Sequence, residues 1–378
     1  MDFSKSPTQE MVSEQLREYI EDNVVGETED WDSDENFPED VYQDLVDMGI
    51  IGTLLPEELD GQGFGIHTGG IIMEELGRGD VGLANVVHNQ ILGNVTLSEH
   101  GNEKHKEIAA ENARGETMLS FGLTEPDHGS DAQGIETYAE KDGDEWVING
   151  EKIAITCSQY ADYNIAFCRL GDSDDFRAIL VPLDADGVEV LPYHAIGTAI
   201  DGWGQVFYDD VRVPEENLVS EKNAFRIAME TFDYTRPWIG YLCIGCAQKT
   251  VDQTVDYLKD RETFGEPVAT RQGPQFQIAE METKLDLARL KCDEVSWRIE
   301  NDMEETKHAA MSKWYAAEVS FETVKECTVL HGHYGYSTDS GIGQRFSDIM
   351  GNVIADGTPQ ILKHIIARET FGRDYVSH

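Results

Sequence analysis

The sequence predicts an α+β protein with a helical N-terminal domain, a middle β-barrel or sandwich domain and a C-terminal four-helix bundle. Three observations predict it. Apolar residues recur at helical spacing up to about residue 120, short β-prone runs follow, and long amphipathic stretches return from about residue 219. We therefore expect domains at residues 1–120, 121–218 and 219–378. A chain of 378 residues, 40% of them hydrophobic, is long enough for this number of domains.

The N-terminal region contains four stretches with helical periodicity. Met11, Leu16 and Ile20 follow Ser6-Pro7-Thr8, which is a typical helix start. The other stretches cover residues 41–48, 69–77 and 81–97. A glycine-rich segment at 56–65 superficially resembles a dinucleotide-binding loop. That loop must follow a strand, and here a helix is predicted before it, so we reject this interpretation.

The middle region is predicted to form short strands. Asn149-Gly150 separates two β-prone runs at 146–148 and 152–156. Asn-Gly is a strong hairpin signal because a type I′ turn needs a positive φ at both positions, so we expect a hairpin here. Further strands are expected at 164–169, 176–183, 187–191 and 205–208, the last ending near Pro214. Short strands at this spacing predict a sandwich or barrel.

The C-terminal region is predicted to consist of long helices. Amphipathic stretches cover residues 235–261, 274–301 and 304–330. A last helix begins at Thr358-Pro359, because threonine is a good N-cap and proline suits the first helical position. Long helices joined by short turns favour an antiparallel bundle.

The charge of the chain is strongly acidic. Asp and Glu total 73 against 29 Lys and Arg, which gives a formal net charge of −44. A phosphate backbone would be repelled by this charge, so we expect no nucleic-acid partner. Self-repulsion strains a compact fold at low salt and is largely screened at molar salt, where the Debye length is about 3 Å. An acidic coat for solubility is one interpretation, and a halophilic protein in a salt-rich cytoplasm is the sharper one.

The sequence gives no sign of a membrane segment or a metal site. No run of about 18 apolar residues is present, and the N-terminus lacks the basic start and apolar stretch of a signal peptide. We expect a cytoplasmic protein without a membrane span. Cys243 and Cys246 form a Cys-x-x-Cys pair inside an apolar helical stretch, without two further ligands at suitable spacing. Buried thiols are therefore expected, and no metal.

A polar, glycine-containing loop joins the helical and β regions at residues 121–131. It offers amides, hydroxyls and a flexible glycine next to a sheet edge, which suits a flat polar ligand or a phosphate. Taken alone, the loop is more simply interpreted as a tight domain linker.

Five motifs in order make the sequence resemble the acyl-CoA dehydrogenase family. They are Pro56-Glu57-Glu58 with the following glycines, Thr124-Glu125-Pro126 with Gly129-Ser130-Asp131, Asp209–Pro214, Thr235-Arg236-Pro237 followed by Arg261–Gly265 and Gln272, and Asp356–Ile361. The resemblance covers nearly the whole chain and implies FAD, an acyl-CoA substrate and a homotetramer built as a dimer of dimers. It also implies an electron-transfer flavoprotein as electron acceptor and a role in fatty acid β-oxidation.

The resemblance implies that Asp356 is the catalytic base. In this family a carboxylate takes the α proton while the β hydrogen leaves as hydride to the flavin. The backbone N–H of the same residue helps to bind the thioester oxygen. Most members carry Glu here, and some place the base at the position of Thr235, which cannot serve. The alternative is that Asp356 is only a capping carboxylate at a helix start.

The remaining site residues are also carried over from the resemblance. The residues implied to bind FAD, some of them that of a neighbouring subunit, are Thr124, Gly129, Ser130, Thr156, Arg261, Thr263, Phe264, Gln272, Gly332, Thr358 and Gln360. The residues implied to bind the substrate are Ser130, Asp233 and Arg236.

Three departures from the family pattern bear on the subfamily. Ala154 stands where many members have an aromatic residue near the flavin, Phe121 replaces a common tyrosine, and Val329 replaces a polar cofactor contact. Two other functions stay open. One is a same-fold oxidase acting on an acidic C–H bond without CoA, since nitroalkane-oxidising relatives carry an aspartate base. The other is a non-catalytic member that only binds acyl-CoA.

Overall fold

The computed structural model describes residues 4–28, 31, 37–171, 173 and 175–376. Within them no helix combines the length and the apolar character needed to cross a membrane. The first part is helical, and all four helices predicted there are confirmed. These helices and one further helix are α1 (Pro7–Asn23), α2 (Glu39–Asp47), α3 (Ile66–Gly79), α4 (Val81–His100) and α5 (Glu103–Ala113).

The helix starts in this part follow from local chemistry. Ser6 caps α1 by accepting from the Gln9 amide, and the Gln9 side chain accepts in return from the Ser6 amide, which completes a capping box. Asp80 separates α3 from α4 and caps α4 by accepting from the Leu83 amide at 2.7 Å. The glycine-rich segment at 56–65 lies after α2 and not after a strand, so a dinucleotide loop is excluded as expected.

The middle part is one curled sheet of seven strands. Its spatial order is β1-β4-β2-β3-β7-β6, and β5 pairs with β4. β1 and β2 run parallel to β4, and the other pairs are antiparallel. The strands are β1 (Leu119–Gly122), β2 (Tyr138–Asp142), β3 (Glu145–Ile155), β4 (Tyr163–Leu170), β5 (Phe176–Pro182), β6 (Val188–Pro192) and β7 (Gly204–Pro214).

Residues of β4 alternate between two cores. Ile165 and Phe167 face a core shared with the N-terminal helices, whereas Ala166 and Cys168 face a core made by the sheet alone. The period of two in a strand produces this division. The sheet is therefore covered by helices on one face, which positions the ends of its strands next to α4 and α5.

The hairpin predicted at Asn149-Gly150 is wrong. β3 runs without a break through both residues, and the turn before it lies at Gly143, between the paired residues Asp142 and Glu145. Gly150 has φ of 138° and sits at a register irregularity between β3 and β7. The glycine is needed because the backbone that leads into β2 passes so closely that a Cβ at Gly150 would lie 2.6 Å from the Cα of Thr137.

The C-terminal part contains the expected long helices. They are α6 (Ala224–Asp260), α7 (Gln272–Glu300) and α8 (Thr306–His331), followed by the shorter α9 (Ile342–Ile354) and α10 (Pro359–Phe371). A two-stranded ribbon, β8 (Glu262–Thr263) with β9 (Glu266–Pro267), forms the turn between α6 and α7. α6, α7, α8 and α9 pack together, and α10 packs against α8. The described C-terminal part therefore has one helix more than the four that were predicted.

The two helical parts share one hydrophobic core, because α3 crosses α6 at very short range. A Cβ at Gly77 of α3 would lie 2.1 Å from the Leu242 carbonyl, and one at Gly245 of α6 would lie 2.0 Å from the Glu74 carbonyl. Only glycine permits such an approach of two helix backbones. The crossing joins the N-terminal helices to the bundle, although the sequence separates them by the whole β part.

α4 also ties the sheet to the helices. The side chains of Asn89 and Gln90 both donate to the Leu119 carbonyl, at 2.8 and 3.0 Å, and Gln90 accepts from the Leu119 amide at 2.8 Å. All three residues are buried, so water competes little for these hydrogen bonds. The start of β1 and the polar loop after it are thereby fixed to the middle of α4.

We expect Gly150→Ala to lower the free energy of unfolding by about 1–3 kcal/mol, because the added methyl overlaps the backbone that leads into β2. Gly343→Ala is the matched control, since Gly343 lies in α9 with nothing within 4 Å of its Cβ position. Urea unfolding followed by circular dichroism measures both changes. Equal effects of the two substitutions would show that the close approach of this backbone does not constrain residue 150.

Candidate active site

Asp356 lies in the four-residue turn between α9 and α10. Its backbone is left-handed, with φ of 51°, which is uncommon outside glycine and costs free energy. Thr358 caps α10 by accepting from the Ile361 amide at 3.4 Å, and Pro359 takes the first helical position, as the sequence predicted. Asp356 is therefore not the cap of this helix, and the interpretation as a mere capping carboxylate has no support in the geometry.

The turn is held from behind by a lysine that the sequence analysis missed. The ammonium group of Lys313, on α8, donates to the Val353 carbonyl at 3.1 Å and to the Gly357 carbonyl at 2.9 Å. These acceptors flank Asp356 on both sides. Lys313 is fully buried, and burial lowers its pKa to about 8 although Asp356 acts in the opposite direction. A lysine among the apolar residues of an amphipathic helix was the available signal.

The carboxylate of Asp356 is mostly buried and lacks a hydrogen-bond partner among the described residues. Its side chain is 17% exposed, and Oδ2 has no partner. The imidazole Nε2 of His88, on α4, lies 4.0 Å from Oδ2 and is itself buried without a partner. On the backbone side, Arg236 Nε lies 3.5 Å from the Asp356 carbonyl oxygen. His88 was also missed, because one histidine in an apolar helix carries no signal by itself.

Asp233 is close by but fully engaged. Its Oδ1 accepts from Arg236 at 2.5 Å and its Oδ2 accepts from the Thr306 hydroxyl at 2.6 Å. Burial raises the pKa of Asp233, while Arg236 and Thr306 oppose this shift. Thr235 is buried, and its hydroxyl lies 3.3 Å from the Thr231 carbonyl of its own helix, so it takes no part in the site. The predicted substrate residues Asp233 and Arg236 thus lie beside the Asp356 turn.

The polar loop after β1 is anchored by a buried ion pair. Glu125 accepts from Lys152 at 2.7 Å and from the amides of Glu136 and Thr137 at 2.5 and 2.9 Å. Burial acts to raise the pKa of Glu125, but Lys152 and the amide donors hold it below its usual value. The Glu125 carboxylate therefore anchors the loop and is not available to react with a substrate.

Several groups on this side of the molecule are free to bind a ligand. Thr124 and Thr156 are half-buried, and the Ile153 amide donates to the Thr124 carbonyl at 3.0 Å, which brings the loop against the end of β3. Ala154 lies near the end of β3, two residues before Thr156, and has φ of 56°. Gly129 and Ser130 are exposed, and a Cβ at Gly129 would meet nothing within 4 Å. Hydroxyls, open backbone and small residues at a sheet edge fit the ring and pyrophosphate of a flavin cofactor.

A second group of predicted cofactor residues lies far from Asp356. Arg236 lies on α6, and Arg261 directly follows the end of that helix, 25 positions later. This separation corresponds to about 37 Å along the helix axis. Phe264 is 98% exposed, and Arg271 stacks over its ring at 5.6 Å. Gly332 ends α8 at the same end of the bundle, where the Tyr257 hydroxyl donates to the His331 carbonyl. The structure does not bring Arg261, Thr263, Phe264, Gln272 and Gly332 together with Asp356 in one chain, whereas Thr358 and exposed Gln360 adjoin it.

The cysteines are buried free thiols, as expected. Burial raises the pKa of Cys243 to about 12 and that of Cys246 still further, so neither is a thiolate near neutral pH. In the part of the chain that the structure describes, no group of three potential ligand residues is arranged to hold a metal ion.

Comparison with known proteins gives matches along the entire chain. Residues 6–115 match the acyl-CoA dehydrogenase N-terminal domain, residues 120–211 match its middle domain, and residues 224–371 match its C-terminal domain. The probable acyl-CoA dehydrogenase YngJ of Bacillus subtilis (strain 168) is 32% identical, over 98% of this chain and 99% of that protein.

Two further likenesses add to these matches. The caffeyl-CoA reductase–Etf complex subunit CarC of Acetobacterium woodii is 31% identical, over 96% of this chain and 98% of that protein. The solved structure of butyryl-CoA dehydrogenase from Megasphaera elsdenii has a TM-score of 0.94 with this chain at 25% identity, covering 98% of this chain and 100% of that one.

The lysine behind the turn leads to a prediction about stability and pH. The folded chain holds the Lys313 proton only below about pH 8, whereas the unfolded chain holds it up to the ordinary value of 10.5. Between these values the unfolded state binds more protons, so the free energy of unfolding contributed by Lys313 increases as the pH rises. We expect the difference between wild type and Lys313→Met to shift in favour of wild type over this window.

Guanidinium unfolding at a series of pH values measures this difference. Lys325→Met is the matched control, because Lys325 lies on the same helix with 57% of its side chain exposed. A pH-independent difference for Lys313→Met, equal to that of the control, would contradict the prediction.

Proposed function

This chain belongs to the acyl-CoA dehydrogenase family, and we propose that it converts an acyl-CoA thioester to the 2-enoyl-CoA with Asp356 as the base. The family is that of flavin-dependent oxidoreductases, and FAD is its cofactor. When bound, FAD accepts the hydride that leaves the β carbon. The protein must take the α proton and stabilise the negative charge that develops on the thioester oxygen.

One observation supports Asp356 as the base more than any other. Its Oδ2 is buried without a hydrogen-bond partner among the described residues, whereas both oxygens of neighbouring Asp233 are engaged. A carboxylate oxygen without a partner is open to a substrate C–H bond, whereas the oxygens of an engaged carboxylate are already occupied. Asp233 therefore orients Arg236, and Asp356 is left to react.

The backbone of the same residue supports the second requirement. The Asp356 amide donates to no backbone acceptor in the described part of the chain, so it is available to a thioester oxygen. Arg236 contacts the carbonyl of Asp356 and Lys313 contacts the carbonyl of Gly357, which fixes the peptide planes of the turn. A donor that is fixed before the reaction stabilises the developing charge without reorganisation.

We propose that the flavin ring binds between this turn and the end of β3. The free hydroxyls of Thr124 and Thr156 suit its polar edge, and the open loop at Gly129 and Ser130 suits the pyrophosphate or the substrate. Ala154 leaves space where a larger side chain would cover the ring. Thr358 and Gln360 follow Asp356 at the start of α10 and complete this group.

We propose that electrons leave through an electron-transfer flavoprotein. The support is the likeness to a subunit of an Etf complex, which is called a caffeyl-CoA reductase, so both directions of the reaction belong in the test. Roles in fatty acid β-oxidation, a cytoplasmic location and adaptation to high salt are proposals that rest on the resemblance and the charge.

We propose that the protein works as a homotetramer in which Arg261, Thr263, Phe264, Gln272 and Gly332 contact the FAD of a neighbouring copy. Their distance from Asp356 along the helices supports this, because one bound cofactor would have to span about 37 Å in a single chain. Apolar side chains exposed at this end also support it, among them Phe264 at 98%, Phe276 at 60% and Val329 at 63%.

We expect Asp356→Asn to slow flavin reduction by acyl-CoA by about 10²–10⁴-fold, the usual contribution of a general base, while FAD content is unchanged. Anaerobic bleaching of the flavin by butyryl-, isobutyryl-, cyclohexanecarboxyl- and long-chain CoA thioesters measures the rate, with crotonyl-CoA and reduced enzyme for the reverse direction. Asp293→Asn is the matched control, since Asp293 pairs with His67 outside the site.

Two outcomes would contradict the proposal. If no thioester bleaches the flavin but a nitroalkane does, the substrate lacks CoA. If Asp356→Asn turns over at the wild-type rate, the base is another residue.

The oligomer is tested separately with Phe264→Asp. We expect this change to lower both the mass in solution, measured by light scattering, and the FAD content, because the same end of the bundle provides both contacts. Met48→Asp, which also changes an exposed apolar residue but directly after α2, is the control. A wild-type monomer that retains FAD would overturn the proposal.

A further inference from the structure

The most unusual contact in the molecule is the one between His88 and Asp356. Two buried polar atoms, His88 Nε2 and Asp356 Oδ2, lie 4.0 Å apart, and neither has a hydrogen-bond partner among the described residues. The His88 side chain is 7% exposed. Buried polar atoms are normally satisfied, so two orphans that face each other require an explanation.

The orientation of the imidazole is fixed by its surroundings. The ring bonds to the backbone of Thr235 and lies edge-on to Trp238, with ring centroids 6.4 Å apart. Trp238 is held in turn by its indole N–H, which donates to the Ile66 carbonyl at 2.8 Å. His88 immediately precedes Asn89 and Gln90, whose side chains attach α4 to β1 by hydrogen bonds. The ring therefore cannot turn to another partner.

The tautomer is assigned from these surroundings. Because Nε2 is without a partner, we assign the contact with the Thr235 backbone to Nδ1, and a neutral ring then carries its proton there. Nε2 then presents a lone pair to the carboxylate oxygen. Two acceptors facing each other at this distance are complementary only when one proton is shared between them.

We propose that His88 is a positioning residue that takes over the proton Asp356 removes from the substrate. This rests on the proposed function and adds one step to it. The α C–H bond breaks and an O–H bond forms on Asp356. The O–H bond then breaks and an N–H bond forms on His88 Nε2, which leaves an imidazolium beside a regenerated carboxylate. The electron pair of the β C–H bond leaves as hydride, and the proton reaches solvent when the product departs.

The distance and the charges are compatible with this step. A closure of about 1 Å brings the two atoms into hydrogen-bond range, and such contacts are often long before the substrate binds. Burial lowers the pKa of His88, while Asp356 and the bond to Thr235 raise it, so the ring is neutral when the substrate arrives. The other charged groups near the pair are Arg236 on α6 and Lys313 on α8, and both contact carbonyls of the turn.

Elsewhere on α4, Asn85 donates to the buried carboxylate of Asp201 at 3.1 Å. This contact lies one turn before His88. It gives α4 a second fixed point and leaves Asp356 as the carboxylate that the His88 ring faces.

Rapid-mixing measurements of flavin reduction across a pH series test the proposal with three variants. His88→Gln keeps a polar side chain that cannot accept a proton, and His88→Phe keeps a ring without nitrogen. His67→Gln is the matched control, since His67 forms a similar pair with Asp293 at 3.3 Å outside the site. All are compared with wild type for FAD content, thioester dissociation constant and limiting rate.

We expect both His88 variants to lower the limiting rate by about 10–100-fold, in line with a misplaced reacting group, with little change in the dissociation constant. Because burial lowers the pKa of His88, wild type and His67→Gln lose rate only at pH values below the ordinary histidine range, where the ring becomes protonated, and His88→Gln lacks this loss. A raised dissociation constant with an unchanged limiting rate and pH profile would make His88 a substrate contact instead, which overturns the proposal.

A second measurement does not depend on activity. Deuterium exchange at the imidazole C2 position, followed by mass spectrometry, gives the pKa of each histidine in the holoenzyme. We expect Asp356→Asn to lower the pKa of His88 and to leave that of His67 unchanged. An unchanged pKa of His88 overturns the pairing. If the proposed function itself is wrong, a different result is seen: no thioester bleaches the flavin of the wild-type protein.

Discussion

The arrangement of the site depends on one buried ammonium group. Lys313 reaches from α8 to two carbonyls on either side of Asp356, and among the described residues no carboxylate lies within ion-pair distance of it. A buried charge is costly unless its hydrogen bonds are satisfied, so the two carbonyls must stay where the lysine can reach them. This requirement holds the short turn between α9 and α10 in a conformation in which Asp356 adopts a positive φ. The strain at one residue is thus sustained by a helix that lies behind it.

Charged groups near this turn and beneath the polar loop form ion pairs, whereas Lys313 is held by carbonyls and Asp356 Oδ2 has no hydrogen-bond partner among the described residues. Asp233 and Arg236 satisfy each other, and Glu125 and Lys152 do the same beneath the polar loop. Such pairs give rigidity because each partner would be expensive to leave alone. Asp356 lies beside the Asp233–Arg236 pair, because Arg236 contacts its carbonyl, and its Oδ2 faces the His88 imidazole at 4.0 Å. In the proposed function, this carboxylate is the one left to react.

The fold brings the site together through helix contacts that cross the whole sequence. α3 meets α6 at glycines, which lets the first and last parts of the chain share one core. α4 then contacts the sheet through Gln90 and faces the Asp356 turn through His88, on adjacent stretches of one helix. Phe121 of β1 packs against Phe232 of α6, with ring centroids 5.7 Å apart. The sheet edge and the turn are therefore positioned against the same two helices.

The sequence by itself determined the order of helices and strands and the start of α10 at Thr358-Pro359, because periodicity and capping act over a few residues. The hairpin that it predicted at Asn149-Gly150 is wrong, since the glycine there is required by the close approach of the neighbouring chain and not by a turn. Motif resemblance pointed to Asp356 but not to Lys313 or His88. Their roles arise from contacts between α8, α4 and a turn that are separated by 43 to 268 positions along the chain. Only tertiary packing creates such contacts, because local patterns carry no information about which buried polar atoms will meet.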